Sequence, residues 1–262
     1  MDPLDLAIEL GLEAGALLRR YWRTPLEVAE KSGRGDLVTD ADRASEAFIV
    51  RRLREHFPNA SILGEEGADI KGESDERWII DPLDGTLNFA HGHPIFCVSI
   101  AYERAGELVC GVVHAPILEE TYTARRGRGA FRNGQPLRVS SVERISQAFA
   151  CTGFNATNYE RNSQLLAVLS GKTQGVRRDG AGALDLAYVA AGVYDVFWEF
   201  DLRPWDVAAG ALLVAEAGGK ITAVEGTPLR LDGFSTFASN GILHDEIVRI
   251  FCNCRSIDGI GG

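Results

Sequence analysis

The sequence predicts an α+β first half built on an antiparallel sheet, followed by a layered α/β second half. Three observations carry this. Apolar residues recur at helical spacing up to Pro58, β-branched and aromatic residues alternate from Ile95 to about Val139, and helical and strand patterns take turns after Ser140. A chain of 262 residues fits one large domain or two lobes of about 100–150 residues each. The change of pattern divides it at 139/140, into an N-terminal lobe of residues 1–139 and a C-terminal lobe of residues 140–262.

Asp2 and Pro3 form an N-cap and first helical position, and Leu4, Ala7, Ile8, Gly11, Ala14, Leu18 and Tyr21 then mark one face of a helix. A connection at Lys31-Ser32-Gly33-Arg34-Gly35 leads to a second helix, opened by Thr39-Asp40-Ala41-Asp42 and continued by Ala44, Ala47, Phe48, Arg51 and Leu53. Ser61–Gly64 and Arg77–Ile80 are short apolar runs bounded by Gly and Pro, hence strands. Arg104-Ala105-Gly106 and Asn133-Gly134 are hairpin turns of the alternating region. Helices are expected near Arg161–Leu169, Leu184–Ala191, Trp205–Ala217 and Asp245–Phe251, with strands near Gln174–Arg178, Asp195–Phe200 and Lys220–Val224. The Gly-rich end is expected to fray.

With 45% hydrophobic and 24% charged residues the composition is that of a soluble globular protein. A net charge of -10 argues against a general nucleic-acid binder, and any phosphate site on such a chain needs cations or a local basic group. Neither a basic leader nor an apolar stretch of roughly 20 residues is present, which predicts a cytoplasmic protein with no membrane partner. The five cysteines, Cys97, Cys110, Cys151, Cys252 and Cys254, lack C-x-x-C spacing and are expected to be reduced and mostly buried.

Chemistry concentrates in Trp78-Ile79-Ile80-Asp81-Pro82-Leu83-Asp84-Gly85-Thr86. Two carboxylates at the end of an apolar strand suit a hard cation, and Gly85-Thr86 can aim backbone N–H groups at phosphate. A solvated β-turn explains the same residues. Gly64-Glu65-Glu66 ends a strand with acids that either meet solvent or reach that cluster. Thr39 and Asp42 read as a capping box, and a carboxylate fixed there can also orient a hydroxyl. Asp206 sits in the first turn of an apolar helix, where it favours the helix dipole with or without metal. Glu199, near the end of a hydrophobic strand, is an exposed strand end or a contact for a hydroxylated substrate. His91, His93 and His114 are taken as residues of the surface or behind the ligands.

Read in order, Asp36-Leu37-Val38-Thr39-Asp40-Ala41-Asp42, Gly64-Glu65-Glu66, Trp78 to Thr86 and Trp205-Asp206-Val207-Ala208-Ala209-Gly210 resemble the inositol monophosphatase family over nearly the whole chain. The resemblance implies a two-lobed α-β-α-β-α sandwich and a phosphatase dependent on two to three Mg²⁺ ions. It implies that Glu65, Asp81 and the Leu83 carbonyl hold one ion and Asp81, Asp84 and Asp206 a second, with a third, weaker ion near Glu65. Asp42 and Thr86 would then orient and help deprotonate a metal-activated water for in-line attack. Gly85 and Thr86 would bind phosphate, and Glu199 a sugar hydroxyl. Arg177-Arg178-Asp179-Gly180-Ala181-Gly182-Ala183 takes the place of the substrate-lining segment, with Gly180 and Gly182 as contacts and departures from the commoner pattern at Asp179 and Gly182. Lithium inhibition and a homodimer follow from the same resemblance.

Inositol 1-phosphate is the first expected substrate, because Glu199 lies at the family's spacing before Asp206; fructose 1,6-bisphosphate, histidinol phosphate and 3′-phosphoadenosine 5′-phosphate are handled by similar frameworks. Asp84-Gly85-Thr86-Leu87 also resembles the haloacid dehalogenase signature, but Asp81 and Asp84 are three apart rather than two and lie deep in the chain. A non-enzymatic metal- or protein-binding module is the remaining alternative.

Overall fold

The computed structural model describes residues 1–30, 37–154 and 158–255. The expected Lys31–Gly35 connection, Asp36 of the first motif and the Gly-rich end lie outside the described residues.

Helix α1 (Pro3–Tyr21) starts as its sequence dictates, with the Asp2 side chain accepting from the Leu4 N–H at 2.9 Å. A short antiparallel ribbon of β1 (Val28–Glu30) and β2 (Leu37–Thr39) leads into α2 (Asp40–His56). The chain then builds β3 (Ser61–Gly64), β4 (Asp69–Ile70), β5 (Glu76–Asp84), helix α3 (Thr86–Ala90), β6 (Cys97–Arg104), β7 (Glu107–Ala115), β8 (Glu120–Arg125), β9 (Gly129–Arg132) and β10 (Gln135–Pro136). Its eight strands form one sheet in the order β10-β9-β8-β7-β6-β5-β3-β4. From β5 to β10 neighbours are antiparallel, while β3 runs parallel to β5. Both expected hairpin turns are present, with Ala105 and Gly106 (φ 50° and 78°) and Asn133 and Gly134 (φ 49° and 76°) in the left-handed conformation that suits a two-residue hairpin.

The second sheet uses β11 (Phe149–Thr152), β12 (Gly175–Arg177), β13 (Val196–Phe200), β14 (Lys220–Thr222) and β15 (Ser235–Ser239), in the order β12-β11-β13-β15-β14. Helices α4 (Tyr159–Ser170), α5 (Gly182–Ala190), α6 (Pro204–Glu216) and α7 (His244–Arg255) are interleaved with them. Sequence patterning missed β11 and β15. Phe-Ala-Cys-Thr and Ser-Thr-Phe-Ala-Ser lack alternation because nearly every residue is buried on both faces of the sheet.

Three apolar clusters stack the elements into five layers. α1 and α2 bury Leu6, Leu10 and Ile49 against Trp78, Ile80, Val98 and Ile100 of the first sheet. α5 and α6 lie between the sheets, burying Leu184, Leu186, Leu213 and Val214 with Ile79, Val113 and Phe197. α4 and α7 cover the far face of the second sheet through Leu165, Leu169, Ile247 and Phe251 against Trp198 and Phe237. The central position of α6 explains its almost wholly apolar sequence, since every residue from Val207 to Val214 is buried and no solvent face is left there to keep polar. Among the described residues no helix is long and apolar enough to cross a membrane.

Candidate active site

Strand β5 runs four residues beyond the expected Ile80 and ends in an irregularity. Asp81 pairs with Ser99 and Asp84 with Cys97, so three steps on β5 match two on β6. A regular strand would send residues three apart to opposite faces; the extra residue puts Asp81 and Asp84 on the same one. Packing agrees, because Ile79 faces the middle helix layer and Leu83 the outer one. The bulge thereby aims both carboxylates at the layer where α6 begins.

Gly85 follows with φ 91°, and a Cβ there would come within 3.0 Å of the Ile95 carbonyl oxygen, so the turn into α3 requires glycine. Thr86 then places its Oγ1 2.8 Å from Asp42 Oδ1 and 3.0 Å from the Leu83 carbonyl oxygen. A hydroxyl has one hydrogen, so donation to Asp42 leaves the Leu83 oxygen free for another partner. Asp42 Oδ2 is held in turn by the Thr39 N–H at 2.8 Å and the Thr39 hydroxyl at 2.5 Å. The capping box and the hydroxyl-orienting role suggested by the sequence are thus compatible in a single side chain.

Asp206 also divides its work. Its Oδ2 accepts from the Arg203 N–H at 2.7 Å, capping α6, yet one of its oxygens lies within 4.8 Å of oxygens from Asp81 and Asp84. Asp81 accepts from the Leu83 N–H at 3.0 Å and Asp84 from the Ala183 N–H, in the first turn of α5, at 2.8 Å. Glu65 joins the same cavity from the turn after β3. That turn is shaped by Glu46 of α2, whose carboxylate accepts from the Glu66 and Ala68 N–H groups. Glu66 itself does not line the cavity.

The cavity measures about 260 Å³ and is lined by Glu65, Asp81, Leu83, Asp84, Gly85, Thr86, Gly180, Gly182, Glu199 and Asp206, with Asp42 directly behind Thr86. The expected metal ligands, the Asp42–Thr86 pair and the expected substrate contacts Gly180, Gly182 and Glu199 are therefore brought together at one place, while Glu66 is not. Others there carried no sequence signal. Asn88 donates from Nδ2 to the Ile95 and Asp179 carbonyls at 2.7 and 2.8 Å, tying α3 to the loop before α5. A Cβ on Gly153 would stand 2.0 Å from the Glu199 carboxylate, so that glycine makes the room Glu199 occupies; it follows a strand that patterning missed. Phe154 and Leu202 complete the wall on that side, together with Arg178, which the sequence already places in the segment before α5. None of the three histidines lines it. His91 and His93 are exposed, and His114 is buried against Gly15 with Nδ1 2.9 Å from Thr121 Oγ1, a packing role that replaces the expected one.

Burial and mutual repulsion push the carboxyls of Asp81 and Asp206 well above the usual range, and Asp84 up to about 6. Glu199 is pushed up to about 8 by burial and by Asp206 and Asp84, and Asp42 is raised by burial against the pull of its threonine partners. A cluster of this kind holds either protons or cations. The donors are all oxygen, which suits Mg²⁺, and each carboxylate has one oxygen tied to a backbone N–H, fixing its orientation.

Comparison with known proteins agrees with this geometry. The model of the inositol monophosphatase family matches residues 2–256. The chain is 40% identical over its whole length to a Thermotoga maritima protein named fructose-1,6-bisphosphatase/inositol-1-monophosphatase, covering all of that protein. It is 47% identical over 87% of its length to the Nus factor SuhB of Pseudomonas aeruginosa, covering 88% of it. The solved structure of the Thermotoga maritima inositol monophosphatase superposes with a TM-score of 0.91 at 40% identity, with both chains covered in full. That of the suppressor protein SuhB from Bartonella henselae gives 0.91 at 39%, covering 94% of this chain and 97% of that one. On sequence and fold together, the chain belongs to the inositol monophosphatase family.

Proposed function

We propose that the chain is a Mg²⁺-dependent phosphomonoesterase of small polyol phosphates, inositol 1-phosphate first, working by in-line attack of water. The observation that supports this most is the convergence of Asp81, Asp84 and Asp206 beside the Asp42–Thr86 pair in one cavity. Glu65, Asp81, Asp84, Asp206 and the Leu83 carbonyl would hold two to three Mg²⁺, which when bound supply positive charge to the attacking, leaving and phosphoryl oxygens.

The chain's own groups do the remaining work. Thr86 donates its hydroxyl hydrogen bond to Asp42 and so turns a lone pair towards the attacking water. As the water's proton passes to the Thr86 oxygen, the Thr86 proton passes to the Asp42 carboxylate, whose raised affinity for protons suits that end of the relay. The N–H groups of Gly85 and Thr86, at the start of α3, orient the phosphate. Gly180 and Gly182 keep the wall free of side chains, and Glu199 accepts hydrogen bonds from the hydroxyls of the leaving alcohol. Burial first, and then repulsion from Asp206 and Asp84, raises the Glu199 carboxyl; cations held by those two aspartates would relieve the second cause.

Fructose 1,6-bisphosphate is the second substrate to test, because the Thermotoga maritima relative is named for both activities and Arg178 places a cation among the lining residues. Phosphate release from inositol 1-phosphate, fructose 1,6-bisphosphate and histidinol phosphate, with and without Mg²⁺, checks the reading. Activity indifferent to Mg²⁺, or a phosphoryl-enzyme accumulating in rapid quench, refutes it. Inhibition by Li⁺, a homodimer and a cytoplasmic location belong to the same proposal; Li⁺ titration, sedimentation and cell fractionation test them. The naming of the Pseudomonas aeruginosa relative as a Nus factor leaves a protein-binding role to be tested on a catalytically silent variant.

A further inference from the structure

A second group of ligand-type side chains stands behind the wall of the cavity and takes no part in the chemistry above. Cys151 of β11 and Asp185 of α5 are fully buried, and Asp179, in the loop before α5, is half-buried. One ligand atom from each lies within 4.8 Å of those of the other two. Neither oxygen of Asp185 receives a hydrogen bond; the donor facing it is the Cys151 thiol, which is weak. Asp179 is oriented by the Tyr194 hydroxyl, which donates to its Oδ2.

We propose that Cys151, Asp179 and Asp185 form a second cation site, separate from the Asp81–Asp84–Asp206 cluster, that takes a thiophilic divalent ion of the zinc class. A buried carboxylate without donors, faced by a second acid, is neutral only with a proton or a cation on it. The donor set chooses the cation: one thiolate and two carboxylates suit Zn²⁺, whereas Mg²⁺ avoids sulfur. Three protein donors leave a fourth position for water, and half-buried Asp179 is the way in. Tyr194 does for Asp179 what a supporting hydrogen bond does for any metal ligand. Because burial holds protons on Cys151 and Asp185, ion binding must expel them, so affinity rises with pH. The loop from Asp179 to Asp185 also carries Gly180, Gly182 and the Ala183 N–H that holds Asp84, so an ion here braces one wall of the active site.

The test uses the full chain carrying Asp81→Asn and Asp206→Asn, which silences the first cluster. Zn²⁺ binding is measured by equilibrium dialysis in excess Mg²⁺, and Co²⁺ binding by the near-ultraviolet sulfur-to-cobalt charge-transfer band. One Zn²⁺ per chain and a thiolate band are expected. Adding Cys151→Ala should abolish the band, and Asp185→Asn should weaken Zn²⁺ at least about 100-fold. Absence of the band overturns the proposal, as does a band that survives Cys151→Ala, which would assign the ion to Cys97 or the Cys252–Cys254 pair. Zn²⁺ affinity unchanged by Asp185→Asn overturns it as well. If Cys151→Ala melts out, Cys151→Ser, close in size, gives the same reading on a folded chain.

Discussion

The two acidic clusters differ in how their oxygens are satisfied. In Asp81, Asp84 and Asp206 each carboxylate accepts at least one backbone N–H, from Leu83, Ala183 and Arg203 respectively, and turns towards a shared cavity. In the group behind the wall, Asp185 accepts nothing on either oxygen and is shut off from solvent. Both are repulsive, and Asp81, Asp206 and Asp185 hold their protons above the usual carboxylate range. One is a set of oriented acceptors open to a shared cavity, while in the other only Asp179 is not fully buried. The hydrogen bonds, rather than the number of acids, separate a cluster of oriented carboxylates from an internal one.

The sharpest way to break that contrast is to neutralise a member of the open cluster. Asp81→Asn and Asp206→Asn should each lower kcat/KM for inositol 1-phosphate by about 10³-fold or more with the fold kept, because each removes charge where the reacting phosphoryl group is held. A near-normal rate in either would mean that the cluster is not where the chemistry happens. One step down, Asp42→Asn should cost about 10²-fold, chiefly in kcat, since Thr86 keeps its position but loses its proton acceptor. A pure rise in KM would place Asp42 among the merely structural residues of the α2 cap.

Much of the open cluster was legible in the sequence because its residues sit where local rules already speak. Asp81 and Asp84 flank a proline at a strand end, Asp42 is in a capping box, and Asp206 opens a helix behind Pro204. What local reading could not supply was the bulge that puts Asp81 and Asp84 on one face, since register belongs to the pairing with β6. Gly153, Asn88 and Glu46 were illegible for a similar reason. Their work is done across distances in sequence of 46, 91 and 20–22 residues, on Glu199, Asp179 and the turn after β3. Of the closed group, Asp179 stood out as a departure in its segment and Cys151 as a buried thiol, but their meeting with Asp185 was illegible, because Cys151 lies on a strand without alternation and Asp185 inside an apolar helix.

Metal removal distinguishes the clusters more gently. Unfolded carboxyls titrate near 4, whereas Asp84 is held at about 6 and Asp81 and Asp206 are also raised. Between those values the folded chain binds more protons than the unfolded one, so the stability of the metal-free protein falls as pH rises through that window. Mg²⁺ replaces the protons, and its stabilisation therefore grows with pH. Thermal melts should show a Tm that declines from about pH 5 to about pH 8 without metal, the upper part of that range coming from Glu199, which is held at about 8, and a rise of about 5 °C or more on adding saturating Mg²⁺ at the upper end only. An equal rise at both ends would mean that protons and Mg²⁺ do not compete for the same oxygens.

The smallest expected effect bears on Asp185 alone. Asp185→Asn keeps the shape and removes the group that must stay protonated, so without divalent metal it should stabilise the chain by about 1–3 kcal/mol at pH 8. The gain should vanish near pH 4, because there the unfolded carboxyl also carries its proton and folding no longer shifts it. Saturating Zn²⁺ should reverse the order, since the native chain then gains the binding energy of an ion that the variant holds poorly. A reversal seen by melts in the Asp81→Asn, Asp206→Asn background makes the closed group a ligand site of the same physical kind as the open one, differing in donor and access. If the variant stays the more stable at every Zn²⁺ concentration, the closed group is only a buried acid that keeps its proton.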